Sequence, residues 1–203
     1  MLEHVPAWLG RLLADRRAGM DKIVAAQPGM GGTGDLTLTS PAFADGARLP
    51  ERFTADDDAP ASPPLTWTGA PVGARLALLV EDPDAPASQP LVHAIVWGLE
   101  GETGRLEEGA ISGEGGATLV LGRNSYMRTG WLPPDPPTGH GEHRYAFQLF
   151  ALDPNAPDPG EAPGRAALVK AMEGFVLASD VLIGTYSRGE PAAIGPAGAV
   201  ATA

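Results

Sequence analysis

The chain has 203 residues, of which 43% are hydrophobic and 19% charged, and its 27 Gly and 21 Pro point to one domain of short elements joined by many turns. The formal net charge is −11, with 14 basic residues against 25 acidic ones; this argues against nucleic acid and anionic membrane surfaces as partners, since both are bound through basic patches. Cysteine is absent, which removes disulfides and thiolate metal sites.

The N-terminus, "MLEHVPAWLGRLLADRRAGM", does not read as a secretory signal, because Gly10 and Arg11 interrupt its apolar stretch and Asp15, Arg16 and Arg17 follow. No segment approaches the roughly 18 consecutive apolar residues of a membrane span. A cytoplasmic protein without integral membrane association is expected. Val5, Trp8, Leu9, Leu12, Leu13, Met20, Ile23 and Val24 recur at helical spacing, so residues 1–26 read as an N-terminal amphipathic helix over 5–26. Its polar side mixes charges, which favours packing on its own domain or on the second copy of a homodimer over a membrane surface. "QPGMGGTGD" (27–35) is a Gly-rich connector; no Lys-Ser/Thr and no helix follow, so it is not a phosphate loop.

From Leu36 the pattern changes to period two. "DLTLTS" (35–40), "LTWTG" (65–69), "RLALLVE" (75–81), "LVHAIVWGL" (91–99), "ATLVLG" (117–122) and "HRYAFQLFALD" (143–153) read as strands between Pro/Gly turns. "GRAALVKAMEGFVL" (164–177) reads as a helix with Leu168, Met172, Phe175 and Val176 on one face, "SDVLIGTYSRG" (179–189) as a last strand, and 190–203 as a flexible tail. The spacing predicts a mainly β fold, an antiparallel sandwich or barrel with few helices.

Strand alternation places His93, Ile95 and Trp97 on one face, and His143, Tyr145, Phe147 and Leu149 on one face. Two imidazoles thus stand at the rim of the core, near the acidic turn "EDPDAP" (81–86) and the rigid stretch "PPDPPTGHG" (133–141). Imidazoles, a phenol and backbone N–H groups suit a small anion, and a carboxylate such as Asp82 behind them orients them and favours their charged form. Two other readings compete. His140 and His143 in "HGEH" offer metal-type spacing, though without the helical His-Glu-x-x-His pattern. Ser125 in "GRNSYM" is a candidate hydrolase serine, though without a nucleophile elbow.

"DPDAP" at 82–86, His93 within a hydrophobic strand, and "GHGEHRY" at 139–145 together resemble the phosphatidylethanolamine-binding protein family, in its bacterial Raf-kinase-inhibitor-like branch. "GRNSY…TGW…PPDPPTGHGEHRYAFQLFALD" follows the order of that branch, and the resemblance covers residues 36–189. It implies a two-sheet antiparallel sandwich with a few peripheral helices and a pocket for phosphate-like groups, including phosphorylethanolamine. Matched motif by motif, the ligand-binding residues it implies are Asp82, His93, His143 and Tyr145, with Pro83, Pro136 and Pro137 lining the pocket and Tyr186 a further candidate. It also implies a cis peptide beside the pocket, for which Asp82–Pro83 is a candidate. Two departures stand out: Glu142 occupies a position commonly Pro or apolar, and "QPLV" before His93 lacks an aromatic residue. The expected function is a small-anion or phosphomonoester-binding module with a regulatory role open to it, without metal or cofactor. The alternatives are an inhibitor of a kinase or protease, and an enzyme using an Asp/His pair.

Overall fold

The computed structural model describes residues 7–13, 15–112 and 119–188. In chain order the elements are α1 (Ala7–Leu13), β1 (Thr37–Thr39), β2 (Ala47–Arg48), β3 (Leu65–Thr68), β4 (Arg75–Asp82), β5 (Leu91–Glu100), β6 (Gly104–Leu106), β7 (Val120–Leu121), β8 (His143–Leu152), α2 (Arg165–Met172) and β9 (Val176–Tyr186). Single 3₁₀ turns occupy Met20–Lys22, Val24–Ala26 and Glu51–Phe53.

Two sheets form. The larger has six strands in the order β2-β9-β8-β4-β5-β7, antiparallel except for the β2–β9 pair; the smaller is antiparallel β1-β3-β6. Leu36, Leu38, Leu65 and Trp67 of the small-sheet layer pack on Leu76, Leu78, Val80, Tyr145, Phe147 and Leu149 of the large one. The opposite face of the large sheet is also covered. There Ala77, Leu79, Ile95, Phe150 and Leu152 lie under Leu168, Ala171 and Met172 of α2, with Val24 and Met30 from the N-terminal segment. A strand buried on both faces gains nothing from polar residues on either, so β4 and β8 are near-continuous apolar runs. Each fully buried Leu or Phe in these layers contributes about 1.5–3 kcal/mol relative to exposure.

Three expectations are corrected. The helix expected over 5–26 ends at Leu13, and residues 1–6 lie outside the described residues. Beyond it the domain takes the backbone donors that a helix would use internally: Ala18 N–H donates to Ala85 O, Gly19 N–H to Pro83 O, Val24 N–H to Glu81 Oε2 and Ala25 N–H to Gln148 Oε1. Gly19, at φ 112, makes the turn. The helix expected over 164–177 ends at Met172, because Gly174 (φ 79) reverses the chain and Val176 opens β9. Phe175 and Val176 still pack on the same apolar cluster, from the strand side. The third correction concerns β5. Against β4, Ala94 pairs with Val80 and Val92 with Glu81, so His93 is an extra residue in a bulge. The bulge turns His93 to the inter-sheet side, edge-on to Tyr145, whereas Ile95 and Trp97 face α2. His143, Tyr145, Phe147 and Leu149 do share a face, as alternation requires. Of the expected 117–122 strand, Val120–Leu121 forms β7; the tail at 190–203 lies outside the described residues.

Candidate functional site

Three buried carboxylates follow one another at the end of β4, and each has a different partner. Glu81 faces α2 and accepts from Val24 N–H (2.9 Å), Gln148 Nε2 (2.8 Å) and Arg165 Nε (2.6 Å). Asp82 accepts the Asp84 N–H through Oδ1 (2.8 Å), which closes the turn, and His143 Nδ1 through Oδ2 (2.7 Å). Asp84 accepts three hydrogen bonds from Arg144, at its backbone N, Nε and Nη2, and pairs with Arg17. Burial alone would raise the Asp84 pKa, but the hydrogen bonds from Arg144 and Arg17 outweigh it and hold the carboxyl at about 2.

His143 is the middle of a buried chain. Its Nδ1–H donates to Asp82, its Nε2 meets His140 Nδ1 at 2.7 Å, and His140 Nε2–H donates to the Leu13 carbonyl at 2.8 Å. A carboxylate and a carbonyl only accept. All three bonds are therefore satisfied only when the two rings share three protons, one more than two neutral imidazoles carry. Burial first, and then the charge of His143, lower the pKa of His140.

Beside this chain lies a cavity of about 560 Å³. Asp82, His93 and His143 line its polar end, and Leu91, Tyr126, Trp131, Pro133, Pro136 and Pro137 much of its apolar wall. His93 donates Nδ1–H to Leu132 O at 2.6 Å, and its Nε2 is buried without a partner. Burial lowers the His93 pKa, so the neutral ring presents a lone pair at Nε2. Tyr145 packs edge-on against His93 at 5.1 Å, and its hydroxyl is likewise buried without a partner. Burial, reinforced by Asp82 and Asp135, raises the Tyr145 pKa well above that of a free phenol, so it stays an O–H donor. Asp135, on the cavity wall, is bound by Arg188 Nη1, while Arg188 Nε donates to Asp56 Oδ1 at 2.6 Å.

Of the residues singled out in the sequence, Asp82, His93, His143, Pro136 and Pro137 meet at the cavity. Tyr145 lies behind His93. Pro83 turns its carbonyl to the Gly19 N–H and is not a lining residue. Tyr186 donates to Asp56 under the Arg48 guanidinium and likewise lies off the cavity wall. No cis peptide occurs among the described residues, so Asp82–Pro83 is trans. Two imidazole donors were expected, but both His143 nitrogens are engaged within the protein and neutral His93 is an acceptor. Glu142 is exposed and does not line the cavity. His140 and His143 bond each other, and among the described residues no group of three His, Cys, Asp or Glu is arranged to hold a metal ion. Ser125 is exposed, with its hydroxyl oxygen accepting the Val92 N–H.

Sequence reasoning missed His140 as a partner of His143, although "GHGEH" displayed it. It also missed Asn124, whose Oδ1 accepts from Tyr126 N–H and Arg128 N–H and so shapes the loop over the cavity. Arg188 and Asp135, 53 positions apart, leave no local signal of their pairing.

A two-sheet β sandwich with a mostly apolar cavity that Asp82, His93 and His143 border defines a ligand-binding module. The sequence matches the family described as Phosphatidylethanolamine-binding protein over residues 39–187. A UPF0098 protein of Mycobacterium tuberculosis is 42% identical over 175 residues, covering 86% of this chain and 80% of that protein. The crystal structure of a PEBP homologue from Chlamydia trachomatis superposes with a TM-score of 0.68 at 34% identity, covering 77% of this chain and 99% of the other. That of YbcL from E. coli, described as a member of the mammalian PEBP family, gives 0.67 at 25%, covering 75% and 98%. The chain belongs to the phosphatidylethanolamine-binding protein family. Among the described residues no helix is long and apolar enough to cross a membrane. A further relative in M. tuberculosis, 38% identical over 154 residues (74% of this chain, 72% of the relative), carries a lipoprotein name, LppC.

Proposed function

We propose that the cavity binds a phosphomonoester, with the phosphoryl group against His93, reaching toward the Tyr145 hydroxyl behind it, and the organic part against the apolar wall. One observation carries this reading: His93 Nε2, on a residue that lines the cavity, is buried without a partner, and so is the hydroxyl of Tyr145, whose ring packs edge-on behind His93. Such atoms are costly to bury and mark a place where a ligand completes the hydrogen bonding. One is an acceptor and the other a donor. A phosphomonoester monoanion carries P–OH and P–O⁻ on the same phosphorus and answers both. Of the carboxylates nearby, Asp82 is occupied by its hydrogen bond from His143 and Asp135 is ion-paired with Arg188. The cavity is much larger than a phosphate group, and Trp131, Tyr126, Leu91 and the prolines suit an apolar substituent.

The pH dependence follows from the proton that must lie between His93 Nε2 and the ligand. It comes from the phosphomonoester, whose second pKa is about 6, or from protonated His93, whose pKa burial lowers. Either route strengthens binding in acid. Calorimetric titration with phenyl phosphate should give at least about tenfold tighter binding near pH 5.5 than near pH 8.5. Phenyl sulfate, which brings no proton, should bind more weakly than phenyl phosphate at pH 5.5. Equal affinities at the two pH values, or no binding at either, would overturn the reading. A cytoplasmic location belongs to the same proposal; since one relative carries a lipoprotein name, cell fractionation tests it, and recovery in the membrane pellet would refute it.

A further inference from the structure

The stretch 133–141 has two sides. Pro133, Asp135, Pro136 and Pro137 face the cavity, and the N-terminal segment grips the other side. A Cβ on Gly10 would lie 2.1 Å from Thr138 O and 3.0 Å from His140 N, so α1 sits directly on this backbone. The Leu13 carbonyl receives His140 Nε2–H at 2.8 Å. Arg17 donates to the carbonyls of Glu142 (2.8 Å) and His140 (3.3 Å) and pairs with Asp84 Oδ1 (2.9 Å). The next two residues hold the acidic turn, Ala18 N–H on Ala85 O and Gly19 N–H on Pro83 O. One short stretch of chain thus ties together both borders of the cavity, the 82–86 turn and the 133–141 wall.

These contacts are polar or backbone-to-backbone, and they end on the groups that shape the cavity. The Leu13 carbonyl is one of the backbone acceptors, with that of Arg16, that orient the His140 ring. With that orientation lost, His143 loses the neighbour that occupies Nε2 and keeps Nδ1 on Asp82. The charged groups facing the two rings are Asp82 from β4, Arg17 from the N-terminal segment, and Asp84 with Arg144 just beyond.

We propose that Leu13, Arg17 and His140 are positioning residues of the cavity, and that the N-terminal segment is a strap whose docking sets how well the cavity holds its ligand. The proposal rests on the phosphomonoester reading for the ligand arm of its test only. Gly10→Ala adds one methyl group and improves helix propensity, yet it drives that methyl into the Thr138 carbonyl. Gly31→Ala, where a Cβ meets nothing within 4 Å, is the control.

In the full chain, Gly10→Ala should speed amide exchange at Thr138, Gly139 and His140 by at least about fivefold and weaken phenyl phosphate by a similar factor, the low end of usual coupling between linked sites. The ring ¹⁵N signals of His140 and His143 should move with it, and Gly31→Ala should change none of these. Unchanged exchange and ring signals in Gly10→Ala would overturn the proposal, as would a loosened wall with unaltered affinity. If the wild type bound no phenyl phosphate, the functional reading would fall, while exchange and ring signals would still decide whether the strap positions the wall. Should Gly10→Ala prevent folding, Arg17→Ala, which alters no backbone packing, is judged by the same readouts in the same directions.

Discussion

Asp84 anchors the turn that carries Asp82, and its contribution can be worked from its surroundings. Its side chain is fully buried, and Arg144 and Arg17 hold its pKa at about 2 against an ordinary 3.8. At 1.36 kcal/mol per pKa unit, the ionised form contributes about 2 kcal/mol to folding. Because the folded pKa is depressed, that stability is fully present above the unfolded value near 3.8 and is lost as pH falls through about 2. Asp84→Asn removes the charge and keeps the shape. The arginines left behind are 43% and 32% exposed and remain hydrated, so the cost stays near about 2 kcal/mol, below the 3–5 kcal/mol of a broken, fully buried pair. Urea unfolding followed by tryptophan fluorescence should show this gap near pH 7 and its closure near pH 2. A gap below about 0.5 kcal/mol at neutral pH, or one that persists undiminished in acid, would refute the reasoning.

Three further outcomes are expected. Tyr145→Phe removes a buried hydroxyl without a partner, so urea unfolding should show the ligand-free protein unchanged or up to about 1 kcal/mol more stable, while calorimetry shows phenyl phosphate about tenfold weaker. Glu81→Ala leaves Arg165, Gln148 and the Val24 N–H without their shared acceptor. It should cost about 3 kcal/mol by urea unfolding and increase amide exchange over residues 20–26. Arg188→Leu leaves Asp135 without Arg188 at the cavity wall; the less balanced charge should weaken phenyl phosphate about tenfold by calorimetry, more strongly at low ionic strength.

The strands at the centre were legible because burial on both faces writes a near-continuous apolar run, as in "LALLV" and "YAFQLFAL". Elements of two or three residues, β2 and β6, have no such run and owe their form to neighbouring strands. Helical spacing in residues 5–26 misled because the same apolar residues also suit an extended strap whose donors bond the domain. At the cavity, the motifs pointed to Asp82, His93 and His143, which the fold brings to one wall. The role of each did not follow from the motifs. A one-residue bulge at His93 has no signature in "LVHAIVWGL", yet it decides which face the imidazole takes. That His143 has no free nitrogen depends on His140 and, through it, on Leu13, 127 positions from His140. Such a dependence is a property of the assembled chain.

The central claim is that His93 Nε2 and Tyr145 Oη await a group that both donates and accepts. Ring ¹⁵N spectra of the histidine-labelled full chain, recorded near pH 5.5 with and without phenyl phosphate, address that atom directly. The account predicts that His93 Nε2 leaves the range of an unbonded lone pair on ligand addition, while the Asp82–His143–His140 signals stay in place. Saturation with phenyl phosphate that left His93 Nε2 unmoved, or that moved only His143, would contradict it.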